Sequence, residues 1–373
     1  MMSTQPQSPQ SNAHEPATRT FGHDWQTDFN RQLVDYREFT LGNPRRDGIP
    51  PIDQPQFESI DQAKHWLSPD DPVLVVANQQ HTTIYPLQIL MWHEIVNDWL
   101  GDLPIAVTFC PLCNIGVVFE RQVANQQLTF GVSGLLRKSD LVMWDRQTES
   151  LWQQATGLGL VGHFAGTQLQ MLPSLLVAWH IACEQTPMIR VLSRQTGFRR
   201  SYGQNPYIAY DQQTTPWLLQ QRPNPQLPAL ERVVGLVLGN AALAYPFSIL
   251  ARQQVINDHY LDTSIAIFYQ AGMASAVDAA TIAQSHATGM GTAWLRQLDD
   301  LLLSFEWRDQ AIYDRQTNSR WDITGRAVTG PLQGRQLSPI IHGNHFWFAF
   351  AALIGEQTQT MRLYCDIEAM DTV

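Results

Sequence analysis

The sequence predicts a strand-rich α+β fold made of two tandem, pseudo-symmetric repeats, each with a strand, a helix, a second strand and hairpins. The first observation is that "YPLQILMWHEIVNDWL" (85–100) aligns with "YPFSILARQQVINDHY" (245–260) at an offset of 160 residues. The second is that "DRQTESLW" (145–152) aligns with "DRQTNSRW" (314–321) farther along both copies. Matches in the same order along the chain predict a tandem duplication.

The elements of each repeat follow from local patterns. The β-branched segments 72–78 and 232–240 predict the first strands. A Tyr-Pro pair opens the next helix, because proline at an early helical position removes no hydrogen bond. In the first copy this helix is expected to end near Leu100, before a strand that starts at Ile105. The "DRQT" segments predict hairpin turns in which Asp and Thr bond the local backbone, and a final strand and helix close each unit.

The repeats define the expected domain organisation. Residues 1–24 are polar and rich in Pro, Gln and Ser, and they predict a disordered tail. Residues 25–203 form the first repeat unit and 229–373 the second. Between them, residues 204–228 are rich in Pro and Gln and predict a linker.

Composition limits the partners. The formal net charge is −10, and no cluster of Lys and Arg is present, so we expect no binding to nucleic acid. No apolar run is long enough for a membrane span, and the N-terminal segment lacks a signal peptide, so we expect a soluble, cytoplasmic protein. In that compartment the four cysteines are expected to be thiols or ligands. The sequence leaves the oligomeric state open.

The stretch "VTFCPLCN" (107–114) contains the strongest candidate site. Cys110 and Cys113 align with Gln270 and Met273 in the second copy, and His93 aligns with Gln253. Residues shared by both copies are expected to build the fold, so residues that occur in only one copy are candidates for a chemical role. A tight Cys-Pro-x-Cys turn between two strands resembles a metal knuckle, and by ligand softness a site of Cys110, Cys113 and His93 predicts copper or zinc.

Other interpretations remain open at this stage. Cys110 and Cys113 are also candidate catalytic residues of a dithiol/disulfide couple. Alternatively, the chain is a non-catalytic binding module with a small-molecule cleft between the repeats, in which the cysteines only brace a loop. Hydrolytic chemistry lacks a supporting motif, and whether the protein is an enzyme stays undecided. A polar stretch missing from the second copy supplies a candidate pocket wall, which comprises Ser133, Arg137, Ser139 and Asp140.

Several long motifs resemble one known family. The stretches "YPLQILMWHEIVND", "VTFCPLCN", "FGVSGLLRKSDLVMWDRQTESLWQQ" and "SYGQNPYIAYD" are similar to the bacterial and archaeal domain of unknown function DUF3179. The resemblance runs from about Trp25 to the final helix. It covers the His93-Glu94 pair, the cysteines at 110–113 and the Ser-Asp-Leu-Val stretch at 139–142, and departs only at Asn114-Ile115, where a small residue is usual. The resemblance implies no established activity.

Overall fold

The computed structural model describes residues 24–184 and 189–365. It is 41% strand and 12% helical and contains many small sheets, so the chain is a strand-rich α+β protein. Among the described residues, no helix has the length and apolar character to cross a lipid bilayer. The prediction of a disordered tail falls almost entirely on residues outside the described ranges.

In the described residues up to Leu192, the first part of the chain has three short α-helices and sixteen strands. The helices are α1 (Ile60–Ala63), α2 (Leu87–His93) and α3 (Trp179–Ala182), and a 3₁₀ turn spans Tyr36–Glu38. The strands are β1 (Phe39–Leu41), β2 (Phe57–Glu58), β3 (Pro72–Ala77), β4 (Thr82–Pro86), β5 (Ile95–Leu100), β6 (Leu103–Cys110), β7 (Ile115–Glu120), β8 (Gln122–Val123), β9 (Gln126–Gln127), β10 (Phe130–Arg137), β11 (Asp140–Asp145), β12 (Leu151–Gln153), β13 (Gly159–Val161), β14 (Met171–Leu172), β15 (Leu175–Ala178) and β16 (Ile189–Leu192).

Within the described residues, the second part has two short α-helices and thirteen strands. Its helices are α4 (Phe247–Gln253) and α5 (Trp347–Ala349), the latter continued by a π-helical turn (Phe350–Ile354), with 3₁₀ turns at Tyr210–Gln212, Ile282–Gln284 and Gly355–Gln357. The strands are β17 (Arg232–Leu238), β18 (Ala241–Pro246), β19 (Val255–Tyr260), β20 (Thr263–Gln270), β21 (Met290–Leu295), β22 (Gln297–Leu298), β23 (Leu301–Leu302), β24 (Phe305–Arg308), β25 (Ala311–Asp314), β26 (Arg320–Trp321), β27 (Ala327–Thr329), β28 (His342–Phe346) and β29 (Thr360–Leu363).

The sheets of the two parts have matching strand orders. In the first part the orders are β15-β3-β4-β16-β2, β14-β7-β6-β5 and β1-β10-β11-β12-β13. In the second they are β28-β17-β18-β29, β19-β20-β21 and β24-β25-β26-β27. The pairings β4 with β16 and β18 with β29 are parallel. Strand β28 packs on β7 and β15 packs on β21, so each part contacts the other through equivalent strands.

Helix α2 is shorter than the sequence predicted. It ends at His93, because Glu94 has a left-handed φ of 59° that breaks the helical path. The β-branched residues Ile95 and Val96 then enter strand β5, where such side chains pack well. The prediction of a helix that continues to near Leu100 is therefore wrong.

Both parts have the same tyrosine–aspartate hydrogen bond, which is buried in the first part and partly buried in the second. The Tyr85 hydroxyl donates to Asp98 Oδ2 at 2.6 Å, and the Tyr245 hydroxyl donates to Asp258 Oδ2 at 2.7 Å. Arg190 also donates to Asp98 Oδ2, at 2.8 Å. These bonds tie the strand before each helix to the strand after it.

The hairpin turns also agree with the sequence prediction. The Asp145 carboxylate accepts hydrogen bonds from the Thr148 backbone N–H at 2.7 Å and from Trp152 Nε1 at 2.9 Å. In the second part, Asp314 accepts from Thr317 N–H and, at 2.9 Å, from Trp321 Nε1. One carboxylate thus closes the turn and orients the buried tryptophan of the returning strand.

The hairpin before this turn differs between the parts. The first runs from Phe130 to Asp145 and the second from Phe305 to Asp314, so the first is six residues longer. The prediction that this stretch distinguishes the two copies is consistent with that difference.

We expect Tyr85→Phe to lower the free energy of unfolding by about 2 kcal/mol, because a buried hydrogen bond to a charged group is lost. Tyr245→Phe should have a similar effect. Tyr313→Phe is the control, since the Tyr313 ring is only half-buried. Urea unfolding followed by tryptophan fluorescence measures the three differences. Equal stabilities for Tyr85→Phe and Tyr313→Phe would contradict this account.

Candidate functional site

The Cys-Pro-x-Cys segment forms a tight turn between β6 and β7. Cys110 is the last residue of β6 and pairs with Ile115, the first of β7. The Cys113 N–H donates to Cys110 O at 3.3 Å, and Asn114 takes a left-handed φ of 52°, a conformation that asparagine tolerates. The turn therefore joins two strands, as the sequence predicted, and it does not open a helix.

A second turn, between β10 and β11, contacts the cysteine turn. Strands β10 and β11 pair Arg137 with Asp140, and the two residues between them, Lys138 and Ser139, both have positive φ values of 53° and 66°. Two such residues form a tight hairpin turn that follows the twist of the strands. The Ser139 carbonyl then accepts a hydrogen bond from the Cys113 thiol at 3.4 Å.

The two turns bring three potential ligands together. One ligand atom each from Cys110, Cys113 and Asp140 lie within 4.8 Å of one another, and all three residues are buried. Asp140 Oδ2 accepts hydrogen bonds from Gln153 Nε2 at 2.6 Å and from the Ala155 N–H at 2.9 Å. Among the described residues, no hydrogen bond of good geometry reaches the buried Asp140 Oδ1, although the two thiols lie close enough to lower the pKa of this carboxyl. Buried polar atoms nearly always have a partner, so this oxygen is available to a further donor or cation.

Burial makes ionisation of this cluster unfavourable. It raises the pKa of the Cys110 thiol, and it raises that of Cys113 well above the ordinary value for cysteine. Burial also raises the pKa of Asp140 to about 6. The main effect is loss of hydration. The Asp140 carboxyl adds repulsion between negative charges at both thiols, whereas hydrogen bonds from the Ala155 N–H, Gln153 and the two thiols oppose the rise at Asp140.

Glu94 adds a second buried carboxyl beside the cluster. Its side chain is buried, and burial raises its pKa to about 8, with a further contribution from the Asp140 carboxyl. In the second part Gln254 takes the same left-handed conformation after its helix, and it cannot ionise. The sequence comparison pointed to Glu94 as a residue of one copy only, although we did not select it as a ligand.

The structure places His93 away from the thiols. His93 Nδ1 lies 2.7 Å from Pro50 O, and Nε2 lies 2.7 Å from the Tyr202 hydroxyl. Both ring nitrogens are therefore engaged, and burial lowers the pKa of the ring. The expected approach to Cys110 and Cys113 depended on a longer helix, and among the described residues Asp140, not His93, groups with the two thiols.

The other residues predicted to line a pocket form hydrogen bonds that stabilise the long hairpin at 130–145. Ser133 Oγ accepts from the Leu135 N–H at 3.0 Å within an irregular part of β10. Arg137 donates to Glu38 Oε2 at 2.6 Å and to Gln153 Oε1 at 3.1 Å. Gln153 therefore links the Arg137 guanidinium to the Asp140 carboxylate. A role for these residues in lining a pocket stays a prediction.

The segment predicted as a linker covers the two turns. The Tyr210 hydroxyl donates to Leu112 O, inside the cysteine turn, at 2.9 Å. Ser139 Oγ donates to Trp217 O at 2.6 Å. The Tyr210 and Trp217 rings meet edge to face at 4.9 Å. Residues 204–228 thus bond to both turns of the cluster.

A second acidic group contains Asp211, Asp278 and His286. Arg232 donates to Asp211 Oδ2 at 2.8 Å, and Ser275 Oγ donates to the same oxygen at 2.6 Å. A guanidinium already balances this carboxylate, in contrast to Asp140.

These features define a class of protein: a strand-rich α+β protein with a buried cluster of two thiols and a carboxyl in the first of two similar parts. The family model described as "Protein of unknown function (DUF3179)" matches residues 46–357, so the chain belongs to this family. The resemblance seen in the motifs is thereby confirmed. No curated protein and no solved structure matches the chain significantly.

We expect the metal-free protein to lose stability as the pH rises from about 5 to above 8. The folded-state pKa of Glu94 lies above its ordinary value of 4.5, so the unfolded chain releases this proton first and ionisation favours unfolding. Glu94→Gln should remove part of that dependence. At pH 8.5 it should be at least about 1.4 kcal/mol more stable than the parent, the free energy of one pKa unit, and near pH 4.5 the two should agree.

Chemical denaturation in chelator-treated buffer at several pH values measures this difference. Glu306→Gln is the control, because that carboxylate lies on the surface in ion pairs with Arg308 and Arg315. An unchanged pH dependence in Glu94→Gln would show that Glu94 is not held in its neutral form.

Proposed function

We propose that the protein binds one transition-metal ion, zinc or copper, through Cys110, Cys113 and Asp140. The observation that supports this most is the unpartnered Asp140 Oδ1, buried within ligand distance of two thiols. Besides burial, the two thiols act on each other, the Asp140 carboxyl acts on both thiols, and Glu94 acts on Cys110. A bound cation supplies the missing counter-charge and favours the ionised thiolates.

Zinc fits this ligand set better than copper. Zinc accepts thiolate sulfur together with carboxylate oxygen, whereas copper(I) prefers an all-sulfur site. Three protein ligands leave one position of a tetrahedral ion for another donor. Gln153 and the Ala155 N–H orient the Asp140 carboxylate, and Glu94 adds negative charge that a cation would stabilise.

A dithiol/disulfide couple is the competing function of the same residues. Its attacking group is a thiolate, and redox-active cysteines have a lowered pKa in an accessible, electropositive site. Burial raises the pKa of both thiols here. The environment of Cys110 and Cys113 therefore supports metal binding more than thiol exchange.

We further propose that the chain arose by tandem duplication and that the metal site belongs to its first half. The equivalent bonds of Tyr85 and Tyr245, the equivalent turns at Asp145 and Asp314, and the matched sheet orders support a tandem duplication. The second half has Gln270 in place of the first cysteine and lacks the long hairpin that supplies Asp140. We infer that the first half alone carries the metal site, while the second half serves as its structural counterpart.

Tag-free protein should contain close to one zinc or copper ion per chain. Cys110→Ser and Cys113→Ser should lose it. Asp140→Asn should bind at least tenfold more weakly, because replacing an outer-sphere partner alone typically costs 10- to 100-fold. Cys183→Ser and Cys365→Ser are matched controls and should keep the metal, since both cysteines lie outside the cluster. Elemental analysis and titration with zinc against a chromophoric chelator provide the measurements.

A different result would support the redox alternative. If the parent protein carries no metal and takes up none, and thiol labelling shows a reversible disulfide between Cys110 and Cys113 in a glutathione buffer, metal binding is wrong. If the thiols neither bind metal nor form a disulfide, they are structural residues of the turn.

The covering segment should slow the release of the metal. Tyr210→Phe removes the hydroxyl that bonds to Leu112 O, and one hydrogen bond of about 1 kcal/mol corresponds to about fivefold in rate. We therefore expect about fivefold faster transfer to a chelator in stopped-flow experiments, with the metal content unchanged. Tyr313→Phe should behave like the parent. Release at the parental rate from Tyr210→Phe would show that residues 204–228 do not control access.

A further inference from the structure

A separate cavity of about 310 Å³ lies between the two parts of the chain. The first part contributes residues of β7, of the turn after β12 and of β14. The second contributes β17, β28 and the helical turns that follow α5. The lining residues are Val117, Ala155, Thr156, Met171, Gly235, Leu236, Val237, Gly239, Asn240, Ile341, His342, His345, Phe350, Ile354, Gln357 and Thr358.

No residue that lines this cavity carries a fixed charge, since the set contains no Asp, Glu, Lys or Arg. A charged ligand would lose its hydration here without gaining a counter-charge, which is strongly unfavourable. The two histidines do not change this conclusion, because burial lowers the pKa of His342 to about 4 and that of His345 to about 3. The cavity therefore suits an uncharged molecule.

His345 presents an unsatisfied polar atom in this wall. The residue is only 3% exposed, and its Nδ1 is buried without a hydrogen-bond partner. The imidazole stacks on the Phe350 ring at 5.7 Å with an interplanar angle of 19°. Two stacked rings make a flat wall, and the free nitrogen is a buried polar atom that lacks its expected partner.

His342 adds a hydrogen-bond acceptor. Its Nδ1 lies 2.7 Å from the carbonyl oxygen of Ile340, and a carbonyl can only accept, so Nδ1 carries the proton. In a neutral ring, Nε2 is then unprotonated. Among the described residues, no hydrogen bond engages this Nε2.

We infer that the cavity binds one uncharged, ring-containing small molecule with a hydroxyl group that bonds to His345 Nδ1. An engineered cavity of about 150 Å³ holds benzene, so this one has room for about two rings. A hydroxyl satisfies either tautomer of His345, because it can donate to a bare nitrogen or accept from an N–H. The apolar lining, including Met171, Leu236 and Ile354, contacts the body of the ligand.

This inference is independent of the metal site. The cavity and the cluster are lined by different residues, although they are neighbours. Ala155 lines the cavity and donates its N–H to Asp140, and β28, which carries His342 and His345, also bonds to the cysteine turn through Phe346. Metal content can therefore be measured on every variant below. A metal content equal to that of the parent also shows that the cluster of that variant has folded.

Three two-ring probes test the chemistry of the cavity. 2-Naphthol is uncharged and has a hydroxyl, 2-methylnaphthalene has neither a donor nor an acceptor, and 2-naphthalenesulfonate is charged. Isothermal titration of the full chain should show one site for 2-naphthol, about fivefold weaker binding of 2-methylnaphthalene because one hydrogen bond is lost, and no binding of the sulfonate. Failure to bind any probe, or equal binding of the sulfonate, would overturn the inference.

Two variants locate the probe. Val237 lines the cavity and is 44% exposed, so Val237→Trp should fold and should abolish binding by filling the entrance. Leu261→Trp is the control, because Leu261 is 68% exposed and lies outside the lining. His345→Phe should weaken 2-naphthol about fivefold and leave 2-methylnaphthalene within about twofold. Full binding by a folded Val237→Trp would place the probe elsewhere and refute the assignment.

Discussion

The organisation of this protein depends on one constraint, which is that two thiols and a carboxyl are buried together without a counter-charge. Cys110, Cys113 and Asp140 share a small volume in which one carboxylate oxygen accepts no hydrogen bond of good geometry from the described residues. Among the described residues, the donors that reach that carboxylate are neutral: the Gln153 amide, the Ala155 N–H and the two thiols. Such an arrangement is stable while the groups keep their protons or share a cation. The two surrounding turns keep the three groups close together.

The constraint also explains why the two similar parts differ. The scaffold bonds of Tyr85 and Tyr245 occur in both, and they require only that strands and helix meet. The cluster requires three additional features, namely the cysteine turn, the longer hairpin and the covering segment. These features are adjacent in space, although they come from separate stretches of the chain.

The sequence predicted much of the scaffold and part of the site. The strand-rich class, the turns at Asp145 and Asp314 and the strand–turn–strand setting of the cysteines follow from local patterns and from comparison of the two copies. The end of α2 did not, because a left-handed Glu94 is a tertiary feature that no propensity indicates. The choice of Asp140 over His93 depends on which segments meet in space. The buried histidines of β28 carried no signal, since their importance arises from a cavity shared by distant residues.

The tip of the long hairpin reaches across to the second part of the chain. Lys138 Nζ donates to Ala352 O at 3.2 Å and also bonds to Glu356. The Phe346 N–H donates to Cys113 O at 2.9 Å, and the Asn114 side chain donates to Asn344 O at 2.7 Å. The cysteine turn of the first part is therefore held in place by backbone groups of the second. Separated from each other, neither part would have a finished interior.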